Sequence, residues 1–386
     1  MSSGPWRWAL AGLALVALAV VGGVALLADG DRARPAPVRG SIAVADALGA
    51  EDLSGFARAA APRVFSFPAD HGPHPDFRTE WWYYTGNLET DTGRHFGFQL
   101  TFFRTALVPP ARSAGAPRRS AWATPHVYLA HFALTDTEGR RFLAWSRTGR
   151  GALGLAGAQA GPLRVWVDDW SVEGARPRAL PMRLRAAEAD AAIDLTLDSA
   201  RPVVLQGERG LSRKGPERGN ASYYYSLTRM PARGRIRVGA ERFDVQGLAW
   251  MDREWSTSAL GGDLVGWDWF ALQLDDGRDV MLYQLRRRDG TADPLSAGTV
   301  VDAAGRPRAL ARDEFRIEAL DTWTSPASGV RYPSGWRLTL PREGLALEVT
   351  PRLADQELRV GTRYWEGAVV VRGAGRGYAE LVGYGE

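Results

Sequence analysis

Trp81-Trp82-Tyr83-Tyr84 sets four large aromatic side chains in consecutive positions, and no other feature limits the fold as strongly. A β-strand sends alternate side chains to opposite faces. Both faces of a strand carrying this run must therefore meet something large and apolar. One partner is a protein core; the other can be a cavity for a bulky ligand. The run ends a crowded segment, Asp70 to Leu88, that also holds His71, His74, Asp70, Asp76, Arg78 and Glu80.

The chain beyond residue 62 repeats a period of two. Phe96, Phe98, Leu100 and Phe102 alternate with Gly97, Gln99 and Thr101, Leu163, Val165 and Val167 with Arg164 and Trp166, and Leu345, Leu347 and Val349 with Ala346 and Glu348. Such alternation predicts strands, and Asp91-Thr92-Gly93, Glu138-Gly139, Asp276-Gly277 and Ala304-Gly305 supply the hairpin signals between them. Many short strands with few helices predict an all-β body built as barrels or sandwiches. Trp81 to Leu88, followed by Gly93-Arg94 and Gln99-Leu100, also parallels Trp267 to Leu274, followed by Gly277-Arg278 and Gln284-Leu285. If this is a true repeat rather than coincidence, it implies two related β-domains. The expected division is a segment at 1–30, a linker at 31–61, and domains at 62–255 and 256–386.

Arg7 precedes an uncharged run from Trp8 to Ala28, close to the roughly 20 residues needed to span a bilayer. It reads as a signal anchor or a signal peptide. Leu26 disfavours cleavage after Ala28, so the expectation is a protein held at the inner membrane by residues 8–28, with its body in the periplasm. The chain has no cysteine, which removes disulfides, thiolate zinc sites and cysteine nucleophiles. Its net charge of +4 over 386 residues gives no reason to expect a nucleic-acid partner.

The Asp70–Leu88 run, with Gly247-Leu248-Ala249-Trp250-Met251-Asp252-Arg253-Glu254-Trp255-Ser256 and Gly266-Trp267-Asp268-Trp269-Phe270, resembles the AttH/CrtC family, which includes the carotenoid 1,2-hydratases. The resemblance covers roughly residues 62–386. It implies two tandem lipocalin-like antiparallel β-barrels, in agreement with the periodicity. It also implies either a carrier for an apolar, isoprenoid or lipid-like molecule, in service of a membrane exporter, or a cofactor-independent hydratase. Where relatives often carry histidine, this chain has Arg253.

A hydratase of this kind needs an acid able to protonate an alkene, and aromatic faces to stabilise the resulting cation. Alternation places Trp250, Asp252 and Glu254 on one strand face and Met251, Arg253 and Trp255 on the other. Asp252 and Glu254 are the candidate catalytic residues, Asp252 through its match to the family motif. Burial beside Trp250 is expected to raise its pKa. Trp81, Trp82, Tyr83, Tyr84, Trp250, Trp255, Trp267 and Trp269 are the candidate ligand contacts. The competing reading pairs Asp252 or Glu254 with Arg78 or Arg253 in a salt bridge that locks the domain junction.

No metal or cofactor is expected. Pro73 and Pro75 exclude the helical zinc-protease arrangement, and the His71–His74 loop reads instead as a plug for the first barrel. His131 can be either a satisfied core histidine or a ligand. No Gly-x-Ser-x-Gly elbow is present, and Ser256 and Ser258 have no histidine near them in sequence, so hydrolysis is disfavoured. Gly207 to Gly215 reads as a mobile basic loop, and Tyr223 to Tyr225 as a strand lining a pocket or a sheet face.

Overall fold

A computed structural model describes residues 53–113, 120–199, 201–257 and 263–385. The expected membrane segment at 1–30, most of the linker at 31–61, and Ser258 lie outside them. Thirteen strands form the first antiparallel sheet: β1 (Thr79–Glu89), β2 (His95–Ala106), β3 (His126–Asp136), β4 (Arg141–Arg150), β5 (Ala156–Ala160), β6 (Leu163–Val167), β7 (Trp170–Gly174), β8 (Met182–Ala187), β9 (Ala191–Leu197), β10 (Val204–Leu205), β11 (Leu211–Arg213), β12 (Ala221–Val238) and β13 (Glu241–Ser256). Their order is β4-β3-β2-β1-β13-β12-β9-β8-β7-β6-β5, with β10 and β11 also on β12. The sheet curls so far that β4 lies against β5 and β6.

The rest of the body contains β14 (Leu264–Leu274), β15 (Asp279–Arg287), β16 (Ala297–Val301), β17 (Pro307–Leu310), β18 (Arg316–Ala319), β19 (Thr322–Thr324), β20 (Arg331–Pro333), β21 (Trp336–Leu340), β22 (Leu345–Pro351), β23 (Glu357–Arg359), β24 (Arg363–Val371) and β25 (Gly375–Val382). The second sheet runs β17-β16-β15-β14-β25-β24-β22-β21-β18, with β23 on β24; β19 and β20 form a separate hairpin. Read from β4 and from β17, the two orders correspond strand by strand. β1 matches β14, β2 matches β15, β13 matches β25 and β12 matches β24. The parallel seen between Trp81–Leu88 and Trp267–Leu274 thus falls on strands at the same place in two sheets.

Each sheet wraps its own core. Trp82 and Tyr84 pack with Phe96, Phe98, Leu100 and Phe102 in the first, and Phe270, Leu272, Trp336 and Trp365 fill the second. Burial of a side chain of this size contributes roughly 1.5–3 kcal/mol. A third cluster lies between the two, where Tyr83, Tyr224 and Trp250 of the first sheet meet Trp269, Tyr283 and Tyr378 of the second. The aromatic quartet therefore divides as alternation requires, with its even-numbered members inward and its odd-numbered members toward the other barrel.

The segment before β1 closes one end of the first barrel. Trp82 Nε1, from inside the barrel, donates to the His71 carbonyl at 2.8 Å. Glu80, Arg104 and Arg253 form a fully buried ionic triad beneath this segment. Arg253 donates to the Gly72 carbonyl at 2.6 Å and Arg104 to the Phe77 carbonyl at 2.7 Å. Burial pushes the Glu80 carboxyl up, but Arg253 and Arg104 more than offset it and hold it well below the usual carboxylate range. His71 Nδ1 meets the Tyr225 hydroxyl at 2.6 Å, and His74 Nε2 meets Asp70 at 3.0 Å while its ring stacks on Trp255 at 3.6 Å.

Candidate active site

Between the barrels lies a partly open cavity of about 220 Å³. β1 contributes Trp81 and Tyr83, β13 contributes Asp252 and Glu254, and β14 contributes Trp267 and Trp269. Register explains the grouping. Tyr83 stands opposite Asp252 in the β1–β13 pair, and Trp81 opposite Glu254, so all four point to one face of the sheet.

Asp252 is 4% exposed and faces this cavity. Its Oδ1 accepts from Ser226 Oγ at 2.5 Å and from Trp250 Nε1 at 2.7 Å, and its Oδ2 from the Tyr224 hydroxyl at 2.5 Å. Among the described residues no cation forms an ion pair with it. Burial pushes its pKa up to about 7, against the opposing pull of these three donors; the Glu254 charge adds to the rise. The salt-bridge alternative fails for Asp252, since Arg253 points to the other face and pairs with Glu80. Glu254 does form an ion pair, with Lys214 Nζ at 3.2 Å, but this pair lies in the cavity wall.

The junction is locked elsewhere. Gln273 Nε2 donates to the carbonyls of Thr228 and Ala249 at 2.8 and 2.9 Å, Asn87 Nδ2 to that of Gly377 at 2.9 Å, and Asp279 takes Arg201 and Arg229.

Five expected ligand contacts, Trp81, Tyr83, Trp267, Trp269 and Trp250, gather at or around the cavity. Trp250 does so indirectly, orienting Asp252 and packing edge-on to Trp269 at 6.4 Å. Three are placed elsewhere by the pleat. Trp82 and Tyr84 fill the first barrel, and Trp255 packs with Tyr223, Tyr225 and Phe65 beneath the plug. Their side chains point away from the cavity, which corrects their assignment as ligand contacts.

Four further site residues, Lys214, Glu366, Glu380 and Gln99, were not read from the sequence. Gly207–Gly215, read as a mobile basic loop, contains β11, which pairs with β12, and carries Lys214 into the cavity, where its ammonium sits 4.7 Å from the Tyr283 ring centroid. Glu366 and Glu380 stand opposite each other on β24 and β25, and both line the cavity. Burial pushes both carboxyls up, Glu380 to about 7, and the charge of Glu380 raises Glu366 further. The Tyr83 hydroxyl donates to Glu366 Oε1 at 2.5 Å, and Trp267 Nε1 to Glu380 at 3.3 Å. His131 and Gln99 complete this side. His131 Nδ1 meets the Tyr364 hydroxyl at 2.8 Å, and burial lowers the imidazole to about 4, so it is neutral at physiological pH.

Comparison with known proteins places this architecture. The AttH-like family matches over residues 58–384. An AttH protein of Nitrosomonas europaea is similar in structure, with 37% identity, a TM-score of 0.76, and coverage of 85% of this chain and 100% of that one. Kievitone hydratase from Nectria haematococca shares the fold at 16% identity and a TM-score of 0.63, covering 86% of this chain and 96% of that one. CghA aligns at 16% identity and a TM-score of 0.50, covering 85% and 96%. No curated protein matches significantly.

Proposed function

The chain belongs to the AttH-like family, and from that premise we propose that it is a cofactor-independent hydratase, with Asp252 as the proton donor to an alkene held between the barrels. One observation carries this reading: a buried carboxyl, with no ion-pair partner among the described residues, is aimed into an aromatic cavity, where burial pushes its pKa up to about 7. Oδ1 already accepts two donors, so the proton belongs on Oδ2. Its transfer forms a C–H bond from the π electrons, leaving a carbocation on the substrate and a carboxylate at Asp252. Ser226, Trp250 and Tyr224 are already positioned to stabilise that carboxylate as it forms. The faces of Trp81, Trp267 and Trp269 suit the cation. Water then adds to the cation, and its surplus proton returns to Asp252, so alkene and water become alcohol and the acid is restored. A hydratase of the same fold, kievitone hydratase, supports the reading.

The carrier reading shares the cavity and its aromatic walls; the unpaired Asp252 is what favours catalysis. The test uses citronellol, a compact trisubstituted alkene, in H₂¹⁸O. Wild type yields ¹⁸O-labelled tertiary alcohol and Asp252→Asn does not, although it still binds the probe. Equal product from both proteins removes Asp252 from the chemistry, and binding without product in wild type favours a carrier. We also propose that residues 8–28 tether the body outside the cytoplasm, for which release of the protein from membranes on removal of residues 1–30 is the check.

A further inference from the structure

Six cavity-lining side chains present a buried polar atom outside hydrogen-bond geometry: Arg104 Nη1, Glu254 Oε1, and a group of four, Gln99 Oε1, His131 Nε2, Thr362 Oγ1 and Glu366 Oε2, with the Tyr364 hydroxyl also near Gln99 and Glu366. Gln99, His131 and Glu366 are each 1% exposed. Native proteins rarely leave such atoms unpaired, because each costs desolvation without return. The four are also gathered in space. Gln99 and His131 come from β2 and β3 and lie on one sheet face, since His131 stands opposite Thr101. Thr362 and Glu366 come from β24 and the residue preceding it, and β24 packs against β2.

Their other atoms are committed. Gln99 Nε2 donates to Thr101 Oγ1 at 2.7 Å, His131 Nδ1 is taken by Tyr364, and Glu366 Oε1 accepts from Tyr83. The loose ends are therefore specific ones.

We infer that this cluster binds a hydroxyl group, so that the cavity takes an amphiphilic alcohol or phenol rather than a pure hydrocarbon. This names the substrate class for the acid-catalysed reading and rests on it. The argument is one of matching donors to acceptors. With Oε1 already accepting from Tyr83, the proton that Glu366 retains sits on Oε2 and needs an acceptor. Gln99 Oε1 needs a donor, and neutral His131 can serve either role. A hydroxyl answers both demands: its lone pair accepts from Glu366 and its proton goes to Gln99 or His131. An ammonium has no lone pair to accept with. A carboxylate has no proton to give, and it would enter a cavity walled by Glu80, Asp252, Glu254, Glu366 and Glu380 against Lys214 and Arg104, the latter already paired with Glu80. A hydrocarbon satisfies neither demand.

The experiment compares four probes of one shape on the full chain at neutral pH by calorimetry: 2-naphthalenemethanol, 2-ethylnaphthalene, naphthalen-2-ylmethylammonium and 2-naphthoate. The alcohol is expected to bind at least about tenfold more tightly than the ethyl compound, the scale of a buried hydrogen-bond match. Gln99→Leu removes that preference while sparing affinity for the ethyl compound; His131→Phe, which alters a different strand, does the same and covers a folding failure of the first variant. Equal affinities of alcohol and ethyl compound, a preference for the ammonium, or no binding of the alcohol overturns the inference. Asp252→Asn keeps the alcohol preference, so a failure of acid catalysis in the ¹⁸O test and a failure of hydroxyl recognition are read separately.

Discussion

Strands β1 and β14 hold the same place in two sheets of matching order, and their side chains reach across the junction in mirrored fashion. Tyr83 of β1 donates to Glu366 of the second barrel, while Trp269, at the matching position of β14, donates to the Tyr224 hydroxyl of the first at 3.3 Å. The rings of Tyr83 and Trp269 themselves meet edge to face at 5.3 Å. The correspondence extends to the acids. Asp252 stands opposite Tyr83, and Glu380 opposite Trp269. The partner of Asp252 on β12 is Ser226, whereas the partner of Glu380 on β24 is Glu366. One barrel thus presents Asp252 cradled by hydroxyl and indole donors, with Glu254 beside it paired to Lys214; the other presents two carboxyls facing each other, where mutual repulsion keeps at least one proton in place. Equivalent backbone positions carry the proposed proton donor on one side and the proposed hydroxyl-binding cluster on the other. On the neighbouring strand the two sides differ by Ser226 against Glu366.

The sharpest way to break this comparison is to neutralise both acids in turn. Asp252→Asn is expected to lower hydration by about 10²–10⁴-fold, the usual contribution of a general acid, and Glu380→Gln by much less; equal losses would make the two walls functionally alike. The same Asp252 variant gives a pH signature. The carboxyl titrates near 3.8 when unfolded and about 7 when folded, so between those values the native state holds more protons. The stability of wild type relative to Asp252→Asn therefore falls as pH rises from about 4 to about 7, and is level above that. Denaturant midpoints at several pH values measure it, and a difference that grows with pH contradicts the assignment.

Next in size is the charged triad of the first barrel; in the second, Leu381 occupies the position matching Arg253, and the buried ion pair at that end is Asp268 with Arg286. Glu80→Gln leaves Arg104 and Arg253 without their anion and is expected to cost about 3–5 kcal/mol, read by urea denaturation. Tyr83→Phe strands a buried Glu366 oxygen and should cost about 1–3 kcal/mol. Tyr84→Phe, next in sequence, removes only a 3.5 Å contact with Met182 Sδ and should change stability by less than about 0.5 kcal/mol. Similar losses from the two tyrosines would erase the distinction between the two faces of β1.

Much of this was legible in the sequence because it depends on a period of two. The division of Trp81 to Tyr84, and the face shared by Trp250, Asp252 and Glu254, follow from alternation alone. Alternation does not say which face meets the other barrel, so Trp82, Tyr84 and Trp255 could not be separated from the true cavity aromatics. Glu366 and Glu380 lie 14 positions apart in strands of ordinary composition and become a pair only through the β24–β25 register. Gln99 and His131 look like the polar half of amphipathic strands, and their missing partners appear only when the barrels meet. Arg253 reads as a partner for neighbouring acids until Glu80 is seen beneath it.

Lys214 is the only lysine in the chain, and it stands in the cavity wall beside Glu254 and over Tyr283. Apart from the amino terminus, an amine-directed reagent therefore has one address on this protein. Labelling that slows when the cavity is filled would convert the residue into a built-in occupancy gauge, usable with any candidate ligand and without knowledge of the reaction.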